Sequence, residues 1–208
     1  MKKYKNIIFD VGNVLLSYRW KDMFQYDYGM SEKLALEVGT EMFSDPLWQE
    51  YDLWNKTEEE IIRGFEEKYK EHGPYIRWFI EHGERMKVER HAVWRKVKEL
   101  KDAGYGIYIL SNYPKSLYEK HMKGTEVLKS VDGEAVSYMM HKAKPGKEIY
   151  EYLFDTYGLD AADCLFFDDR AENIKGAYRC GMDAKQVLSE EGLLLDLAAL
   201  LNGGFELA

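Results

Sequence analysis

The second half of the chain alternates helical and extended apolar patterns, and this alternation restricts the possible folds more than any other feature. From about residue 89 onward, segments with helical spacing of apolar residues are followed by short continuous apolar runs. The predicted strands lie at 105–110, 164–167 and 184–188, and the predicted helices at 89–103, near 114, 147–157, 171–180 and 193–201. Strands joined through helices require crossover connections, which produce a parallel sheet. The sequence therefore predicts an α/β fold.

A further strand is expected at 5–9, and a long helical segment follows it. Between about residues 17 and 88 the apolar spacing is helical, with Thr57 opening a capping box and Gly73 just past the end of that helix. Four of the five tryptophans lie in this segment, which is enough for a small core. We expect an α-helical cap at 17–88, inserted after the first strand of a core domain formed by 1–16 and 89–208.

Charge and composition exclude several classes of function. The 208 residues carry a formal net charge of −8 at pH 7, which disfavours binding to a nucleic-acid backbone. No apolar run reaches the length of a membrane span. We also expect no signal peptide, because only the short apolar run 7–9 follows the basic start before Asp10 and cannot form its apolar region. Cys164 and Cys180 lack C-x-x-C spacing and are expected to be buried thiols in a reducing compartment. We expect a cytoplasmic protein whose partner is a small molecule, and the sequence leaves its oligomeric state open.

Polar side chains follow three of the predicted strands, each at the point where the strand ends. They are Asp10, the pair Ser111–Asn112 and the pair Asp168–Asp169. Each alone has an ordinary explanation, since an Asp after a strand commonly bonds its own backbone in a turn. In a parallel sheet, however, the carboxyl ends of the strands share one edge, where ligands bind. The three groups are therefore expected to meet at one site.

The chemistry of these side chains suggests phosphoryl transfer. Carboxylates gathered at one edge repel one another unless a cation lies among them, and two or three hard oxygen ligands suit Mg²⁺. Ser111 and Asn112 offer hydroxyl, amide and backbone donors to phosphoryl oxygens, and an aspartate can act as a nucleophile. Lys144, which precedes Pro145, either neutralises a carboxylate or an anionic ligand or is an ordinary solvated loop lysine.

In their order along the chain, these residues resemble the four motifs of the haloacid dehalogenase-like (HAD) hydrolases. The motif segments are 9–14, 110–112, 144–145 and 167–177. The pattern is most similar to the branch of sugar-phosphate phosphatases that resembles alpha-D-glucose-1-phosphatase. The resemblance implies a Rossmann-like core with a small helical cap, and a Mg²⁺-dependent phosphatase that acts on a small phosphorylated metabolite.

The resemblance also implies which residues hold the metal. Asp10 is then both the nucleophile and a Mg²⁺ ligand, and the backbone carbonyl of Gly12 and the carboxylate of Asp169 are further ligands. Asp168 is either a ligand or a carboxylate that supports the ligands from behind. Asn173 either holds a water at the metal or bonds locally within its helix.

The remaining predicted roles concern the substrate. By the same resemblance Ser111 binds the phosphoryl group, with Asn112 as a further donor, and Lys144 steadies the anion during catalysis. Tyr18 and Arg19, which follow the first motif closely, are candidates for contact with the rest of the substrate, although such residues more often build a helical core.

The chain departs from the commonest family pattern at Gly12. Most phosphatases of this family carry a second aspartate there, which serves as general acid and then as general base. General acid–base catalysis is worth about 10²- to 10⁴-fold in rate, so we expect slow turnover of poor leaving groups unless water or a cap residue supplies the proton. Val14 likewise replaces a common threonine.

Two other interpretations remain open from the sequence. Gly12 and Val14 are compatible with a catalytically weak binding or regulatory protein that keeps the fold. A metal-independent haloacid dehalogenase would use the same Asp10 to attack carbon. The Asp168–Asp169 pair argues against the dehalogenase, because two extra carboxylates without a cation would repel an anionic substrate.

Overall fold

A computed structural model describes residues 4–207, and within them the chain forms a five-stranded parallel sheet and a two-stranded antiparallel ribbon. In chain order the strands are β1 (Asn6–Phe9), β2 (Leu16–Tyr18), β3 (Lys87–Glu89), β4 (Gly106–Ser111), β5 (Gly133–Val136), β6 (Cys164–Asp168) and β7 (Asp183–Gln186). The sheet has the order β5-β4-β1-β6-β7, so β1 pairs with both β4 and β6. These are the three strands whose carboxyl ends carry the polar side chains identified from the sequence.

Helices connect and cover the strands. They are α1 (Trp20–Asp22), which continues into a π-helical turn at Met23–Asp27, α2 (Glu32–Ser44), α3 (Pro46–Asp52), α4 (Glu58–Lys68), α5 (Gly73–Glu81), α6 (His91–Asp102), α7 (Lys115–Met122), α8 (Ser137–Met140), α9 (Lys147–Tyr157), α10 (Ala171–Arg179) and α11 (Glu190–Leu201). Among residues 4–207, no helix has both the length and the apolar character needed to cross a bilayer.

The sheet is buried on both faces, as strands of a parallel sheet usually are. Along β1, Ile7 and Phe9 pack into one apolar cluster with α6 and α11, while Ile8 points to the opposite face and packs with α9 and α10. The alternation follows from the two-residue period of a strand. It fixes the register of the sheet and therefore the position of Asp10 at its edge.

The helical segment between β2 and β3 is joined to the core by the ribbon that these strands form. Leu16 pairs with Glu89 and Tyr18 with Lys87, so the chain enters and leaves the segment at one place. The segment shares one continuous apolar cluster with a face of the sheet. The capping box at Thr57 forms as its sequence predicts, with Glu60 reaching back to the Thr57 backbone.

The α/β class and the parallel sheet are confirmed, but several local predictions are wrong. Residues 17–88 are not helical throughout, because β2 and β3 are strands at its two ends. With three residues each, these strands are too short for alternation to show in the sequence. The predicted division at 16/17 and 88/89 falls within this ribbon. Strand β5 was not predicted either, since only Val136 among its four residues Gly133–Val136 is strongly β-favouring.

The expectation for Gly73 is also wrong. Helix α4 ends at Lys68, and Gly73 is instead the first residue of α5, where Pro74 fits the opening turn. A Cβ on Gly73 would lie 2.5 Å from the Cα of Glu66, so the two helices approach too closely for any side chain there. The glycine therefore serves helix packing.

Candidate active site

Asp10 follows directly after β1 and is held at the edge of the sheet by backbone contacts. Its N–H donates to the carbonyl of Phe167 at 2.9 Å, and its own Oδ1 accepts from the N–H of Val11 at 2.8 Å. The residue is only 7% exposed. Within residues 4–207 its second oxygen, Oδ2, accepts no hydrogen bond, so this oxygen is available to a ligand.

Lys144 is buried against this carboxylate. Its Nζ lies 3.0 Å from Asp10 Oδ1 and 2.6 Å from Asp168 Oδ2, and it donates to the carbonyl of Leu110 at 2.9 Å. Burial acts to lower the pKa of Lys144, but the attraction of Asp10 and Asp168 outweighs it and holds the pKa above its ordinary value. Lys144 is therefore a fixed cation, and the alternative of a solvated loop lysine does not hold.

Asn112 clamps the backbone of Lys144. Its Oδ1 accepts from the Lys144 N–H at 2.8 Å, and its Nδ2 donates to the Lys144 carbonyl at 2.9 Å. These two bonds occupy the Asn112 oxygen and one of its two amide hydrogens, and they hold the Lys144 backbone in place. Asn112 also lines the cavity in front of Asp10, where its second amide hydrogen remains available.

Asp168 is fully buried, and both its oxygens already have donors. Oδ1 accepts from the N–H of Arg170 at 2.8 Å, and Asn173 Nδ2 donates to Oδ1 and Oδ2 at 3.0 Å each. Oδ2 also accepts from Lys144. This carboxylate therefore orients Lys144 and Asn173 from behind the site. The Asn173 amide bonds to Asp168 at the end of β6 and not within its own helix α10, so the local bond that was one of its two predicted roles is not what the structure shows.

Asp169 lies further out and is only partly buried. Its Oδ2 accepts from Asn13 Nδ2 at 2.9 Å, and burial raises the pKa of its carboxyl while this hydrogen bond opposes the shift. Sequence reasoning assigned no role to Asn13. Its φ of 54° is left-handed, a conformation in which Asn is enriched, and Arg90 holds its carbonyl at 2.6 Å. Its position within the first motif segment, 9–14, was the only sequence feature that pointed to a role for Asn13.

The three carboxylates form one acidic cluster. Asp10, Asp168 and Asp169 each offer an oxygen within 4.8 Å of the others, and the buried ammonium of Lys144 lies among them. Burial raises the pKa of Asp10, Lys144 opposes this shift, and Asp168 adds to it. A divalent cation fits this surplus of negative charge. After the hydrogen bonds are counted, the oxygens left for it are Asp10 Oδ2, Asp169 Oδ1 and the Gly12 carbonyl.

Ser111 is the last residue of β4 and is 1% exposed. Its hydroxyl is close enough to Asp10 to lower the pKa of that carboxyl. Among the described residues, however, the Ser111 Oγ has no hydrogen bond of acceptable geometry. Buried polar atoms are rarely left unsatisfied. This one lies next to Asp10, and although Ser111 does not line the cavity in front of Asp10, the next residue, Asn112, does.

A cavity of about 370 Å³ opens in front of Asp10, between the core and the helical segment. Asn173, Asp169 and Arg170 line it on the core side. Of the two candidates for substrate contact, Tyr18 lines the cavity, whereas Arg19 does not and instead donates to both oxygens of Asp27. The helical segment contributes mainly aromatic walls, from Trp20, Phe43 and Trp48.

Tyr18 fills the space in front of Gly12. A Cβ built on Gly12 would lie 2.8 Å from the Tyr18 hydroxyl oxygen and 2.9 Å from a ring carbon. The rings of Tyr18 and Tyr113 are 6.3 Å apart. Burial raises the pKa of Tyr18 well above its usual range, and Tyr113 adds to the shift, so the Tyr18 hydroxyl keeps its proton. It can donate a hydrogen bond into the cavity but cannot act as a base.

Asp52, at the end of α3, is the one carboxylate that the helical segment adds to the cavity wall within the described chain. No sequence pattern distinguishes it, because it is one of many acidic residues in that segment. Only the packing of α3 over the edge of the sheet brings it near Asp10.

Comparison with known proteins agrees with this architecture. The model of the haloacid dehalogenase-like hydrolases matches residues 4–181. The chain belongs to this family. A sesquiterpene phosphatase, astK, from Aspergillus oryzae is 26% identical over 106 residues, which cover 51% of this chain and 54% of that protein. The chain thus matches about half the length of that relative. Flavin mononucleotide hydrolase 1 of Arabidopsis thaliana is 26% identical over 223 residues, which cover 96% of this chain and 78% of the relative.

Solved structures share the fold. A HAD family enzyme from Bacteroides thetaiotaomicron, in complex with magnesium and inorganic phosphate, superposes with a TM-score of 0.70 at 21% identity, covering 90% of this chain and 96% of that one. The L-2-haloacid dehalogenase of Xanthobacter autotrophicus gives 0.67 at 17% identity, covering 94% and 83%. Because both enzymes superpose on this chain, the fold does not discriminate between their reactions.

Proposed function

We propose that this protein is a Mg²⁺-dependent phosphatase that hydrolyses a small phosphorylated metabolite through an aspartyl-phosphate on Asp10. The observation that carries the proposal is the set of groups around one free oxygen of Asp10. A fixed ammonium, Lys144, lies 3.0 Å from its other oxygen, and the unpartnered hydroxyl of Ser111 lies beside it. The names of the two relatives, a phosphatase and a nucleotide hydrolase, support the same reaction class.

The oxygen donors that remain free fit a magnesium ion. Asp10 Oδ2, Asp169 Oδ1 and the Gly12 carbonyl would hold it, and the cavity leaves room for the water that Mg²⁺ retains. When bound, Mg²⁺ offsets the negative charge of the phosphoryl oxygens. Asp168 would act indirectly, by fixing Lys144 and Asn173, because its own oxygens are occupied.

The chain's own residues then perform the two transfers. An Asp10 oxygen attacks phosphorus, the bond from phosphorus to the leaving oxygen breaks, and that oxygen takes up a proton. Lys144 favours the ionised form of Asp10 against the effect of burial and offsets the charge on the transferring group, while Ser111 and Asn112 donate to phosphoryl oxygens. Water then attacks phosphorus, releasing inorganic phosphate and restoring the Asp10 carboxylate.

The cavity restricts the leaving group by size and by the character of its walls. About 370 Å³ suits a small organic molecule, and the aromatic rings of Trp20, Phe43 and Trp48 offer flat apolar faces. A sugar ring or a planar heterocycle can stack on such faces. We favour a sugar phosphate, because the motif segments resemble that branch of the family.

A substrate screen with and without metal tests the proposal. Sugar phosphates, pyridoxal phosphate, phosphoglycolate, nucleotides, flavin mononucleotide and a prenyl phosphate would be assayed for phosphate release with Mg²⁺ or with EDTA. We expect turnover of at least one of them that EDTA abolishes and Mg²⁺ restores. Fluoroberyllate, which mimics an aspartyl-phosphate, should bind the wild-type protein with Mg²⁺ and give a protein-bound ¹⁹F signal.

Two outcomes would overturn the proposal. Release of halide from a 2-haloacid in EDTA, without phosphatase activity, would identify a dehalogenase. Failure to release phosphate from any ester, together with no fluoroberyllate signal, would indicate a binding or regulatory protein.

A further inference from the structure

The proposed reaction needs a proton for the leaving oxygen, and position 12 cannot supply it. Glycine has no side chain, and Tyr18 occupies the space in front of it. Tyr18 itself retains its proton, because burial raises its pKa well above the usual range. A group that both donates and accepts a proton must therefore come from another part of the cavity wall.

Asp52 lines the same cavity as Asp10 and Lys144, on the side of the helical segment. Its carboxylate accepts no hydrogen bond and forms no ion pair with any residue in the described part of the chain. It is thus unlike Asp168, whose two oxygens are both occupied. The Asp52 carboxylate is free to contact a molecule bound in the cavity.

The backbone around Asp52 is tied to the core domain. Ser137 donates its hydroxyl to the Asp52 carbonyl, and the next carbonyl, of Leu53, bonds with His141 Nδ1 at 2.7 Å. Trp54 then adopts a left-handed φ of 56°, which ends α3 abruptly. These two hydrogen bonds tie the end of α3, and with it the backbone of Asp52, to the segment that follows β5.

Charged and titratable groups from several elements face Asp52. Asp10 follows β1, Lys144 precedes α9, and Arg170 follows β6, and each acts electrostatically on the Asp52 carboxyl. The negative charge of Asp52 also contributes to the raised pKa values of Tyr18, Tyr51 and Tyr113. Asp52 therefore lines the same cavity as the proposed nucleophile, Asp10, and the buried ammonium of Lys144.

We propose that Asp52 is the general acid and base of the phosphatase reaction, in place of the side chain that Gly12 lacks. This inference rests on the proposed function. As the bond from phosphorus to the leaving oxygen breaks, protonated Asp52 gives its proton to that oxygen. The resulting carboxylate then takes a proton from the water that attacks the aspartyl-phosphate, which regenerates the acid and restores Asp10.

The titration of Asp52 suits both steps. Burial raises its pKa to about 7, Arg170 and Lys144 oppose the shift, and the negative charge of Asp10 adds to it. Its place at the carboxyl end of α3 acts in the same direction, since the helix dipole disfavours an anion there. Near neutral pH both forms of the carboxyl are populated, which is the condition for efficient acid–base catalysis.

The test compares leaving groups in Asp52→Asn, Asp52→Glu and the exposed cap control Asp22→Asn. With an alkyl phosphate, whose leaving oxygen needs a proton, Asp52→Asn should lose about 10²- to 10⁴-fold in kcat. With 4-nitrophenyl phosphate the first step needs no acid. The same variant should then release a burst of one nitrophenolate per active site, followed by slow turnover, because the aspartyl-phosphate lacks its base.

The other variants show whether the effect is chemical. Asp52→Glu should recover part of the alkyl phosphatase activity, and Asp22→Asn should behave as wild type. The pH profile of kcat should lose its ionisation near 7 only in Asp52→Asn. If Asp52→Asn shows the same dependence of rate on leaving group as the wild-type protein and releases no burst, the role of Asp52 is overturned. The proposed phosphatase function would then still stand. Failure of the wild-type protein to turn over any phosphate ester would overturn the proposed function, and this inference with it.

Discussion

The two walls of the cavity differ in how their polar side chains are held. On the core wall, Lys144 and Asn173 both donate to the buried carboxylate of Asp168, which leaves each side chain little freedom to move. On the cap wall, the Asp52 carboxylate has no hydrogen-bond or ion-pair partner in the described chain, and the other side chains that the helical segment adds to this wall are mainly aromatic. In the proposed mechanism, the core wall holds the groups that attack and bind the phosphoryl group, and the cap wall contacts the leaving group and transfers a proton.

Changing the nucleophile on the core wall should have the largest effect. Asp10→Asn keeps the shape of the side chain but removes the attacking carboxylate, so kcat should fall by about 10⁵-fold with any phosphate ester. Steady-state assays at saturating Mg²⁺ measure this loss. Asp155→Asn, an exposed change on α9, is the matched control and should retain full activity. A variant at Asp10 with wild-type turnover would contradict the assignment of the nucleophile.

Breaking the bonded network of the core wall should cost stability as well as activity. Lys144→Met keeps the side-chain length but leaves Asp10 and Asp168 buried without their cation, which typically costs about 3–5 kcal/mol. Urea unfolding at pH 7 gives the free energy directly. The exposed pair of Lys147 with Glu151 supplies a control, since Lys147→Met should change stability by less than about 1 kcal/mol. Equal losses in both variants would contradict the picture of a pre-formed charged network.

A buried histidine joins the two walls and gives a pH-dependent test. His121 on α7 accepts from the Tyr113 hydroxyl through Nδ1 at 2.6 Å and donates from Nε2 to the Gly83 carbonyl at 2.7 Å. Burial lowers its pKa to about 4, although the bond to Gly83 opposes the shift. In the unfolded chain the pKa of His121 is near 6.5, so between the two pKa values His121 is protonated in the unfolded chain but neutral in the folded protein. His121 therefore destabilises the fold as pH falls through this window.

The His121→Gln variant isolates this contribution. Glutamine can keep both hydrogen bonds without titrating, so the stability lost between pH 7 and pH 5 should be smaller by about 2 kcal/mol than in the wild-type protein. Urea unfolding at the two pH values measures the difference, in which other titrating groups cancel. An equal loss of unfolding free energy between pH 7 and pH 5 in both proteins would contradict the assignment of His121 as a neutral, buried side chain bonded to Tyr113 and Gly83.

The core wall could be anticipated from the sequence because its residues lie in short segments at strand ends. Asp10, Lys144 and Asp169 each stand beside a pattern that predicts a strand or a helix, and the parallel sheet brings those ends together. The charge of each residue then suggests its chemistry. The hydrogen bond between Asn13 and Asp169 could not be predicted, because it depends on the left-handed backbone conformation of Asn13.

The cap wall could not be anticipated in this way. Asp52 reaches the site only because α3 ends in contact with Ser137 and His141, more than 80 residues away along the chain. Helical periodicity identifies which face of a helix is apolar, but not which helix end lies over a sheet. The ribbon of β2 and β3 was missed for a related reason, because three-residue strands have too few positions to show a period.

The smallest predicted effect concerns Gly12, where the two walls touch. Gly12→Ala should destabilise the protein by about 1 kcal/mol, because the new methyl group must displace the Tyr18 ring. Tyr18→Ala removes the obstacle, so the two changes should couple by about 1 kcal/mol in a double-mutant cycle. Gly204→Ala, where nothing lies within 4 Å of an added Cβ, is the control. Additive effects would mean that position 12 has room for a side chain, and the need for a proton donor from the cap wall would then lose its structural reason.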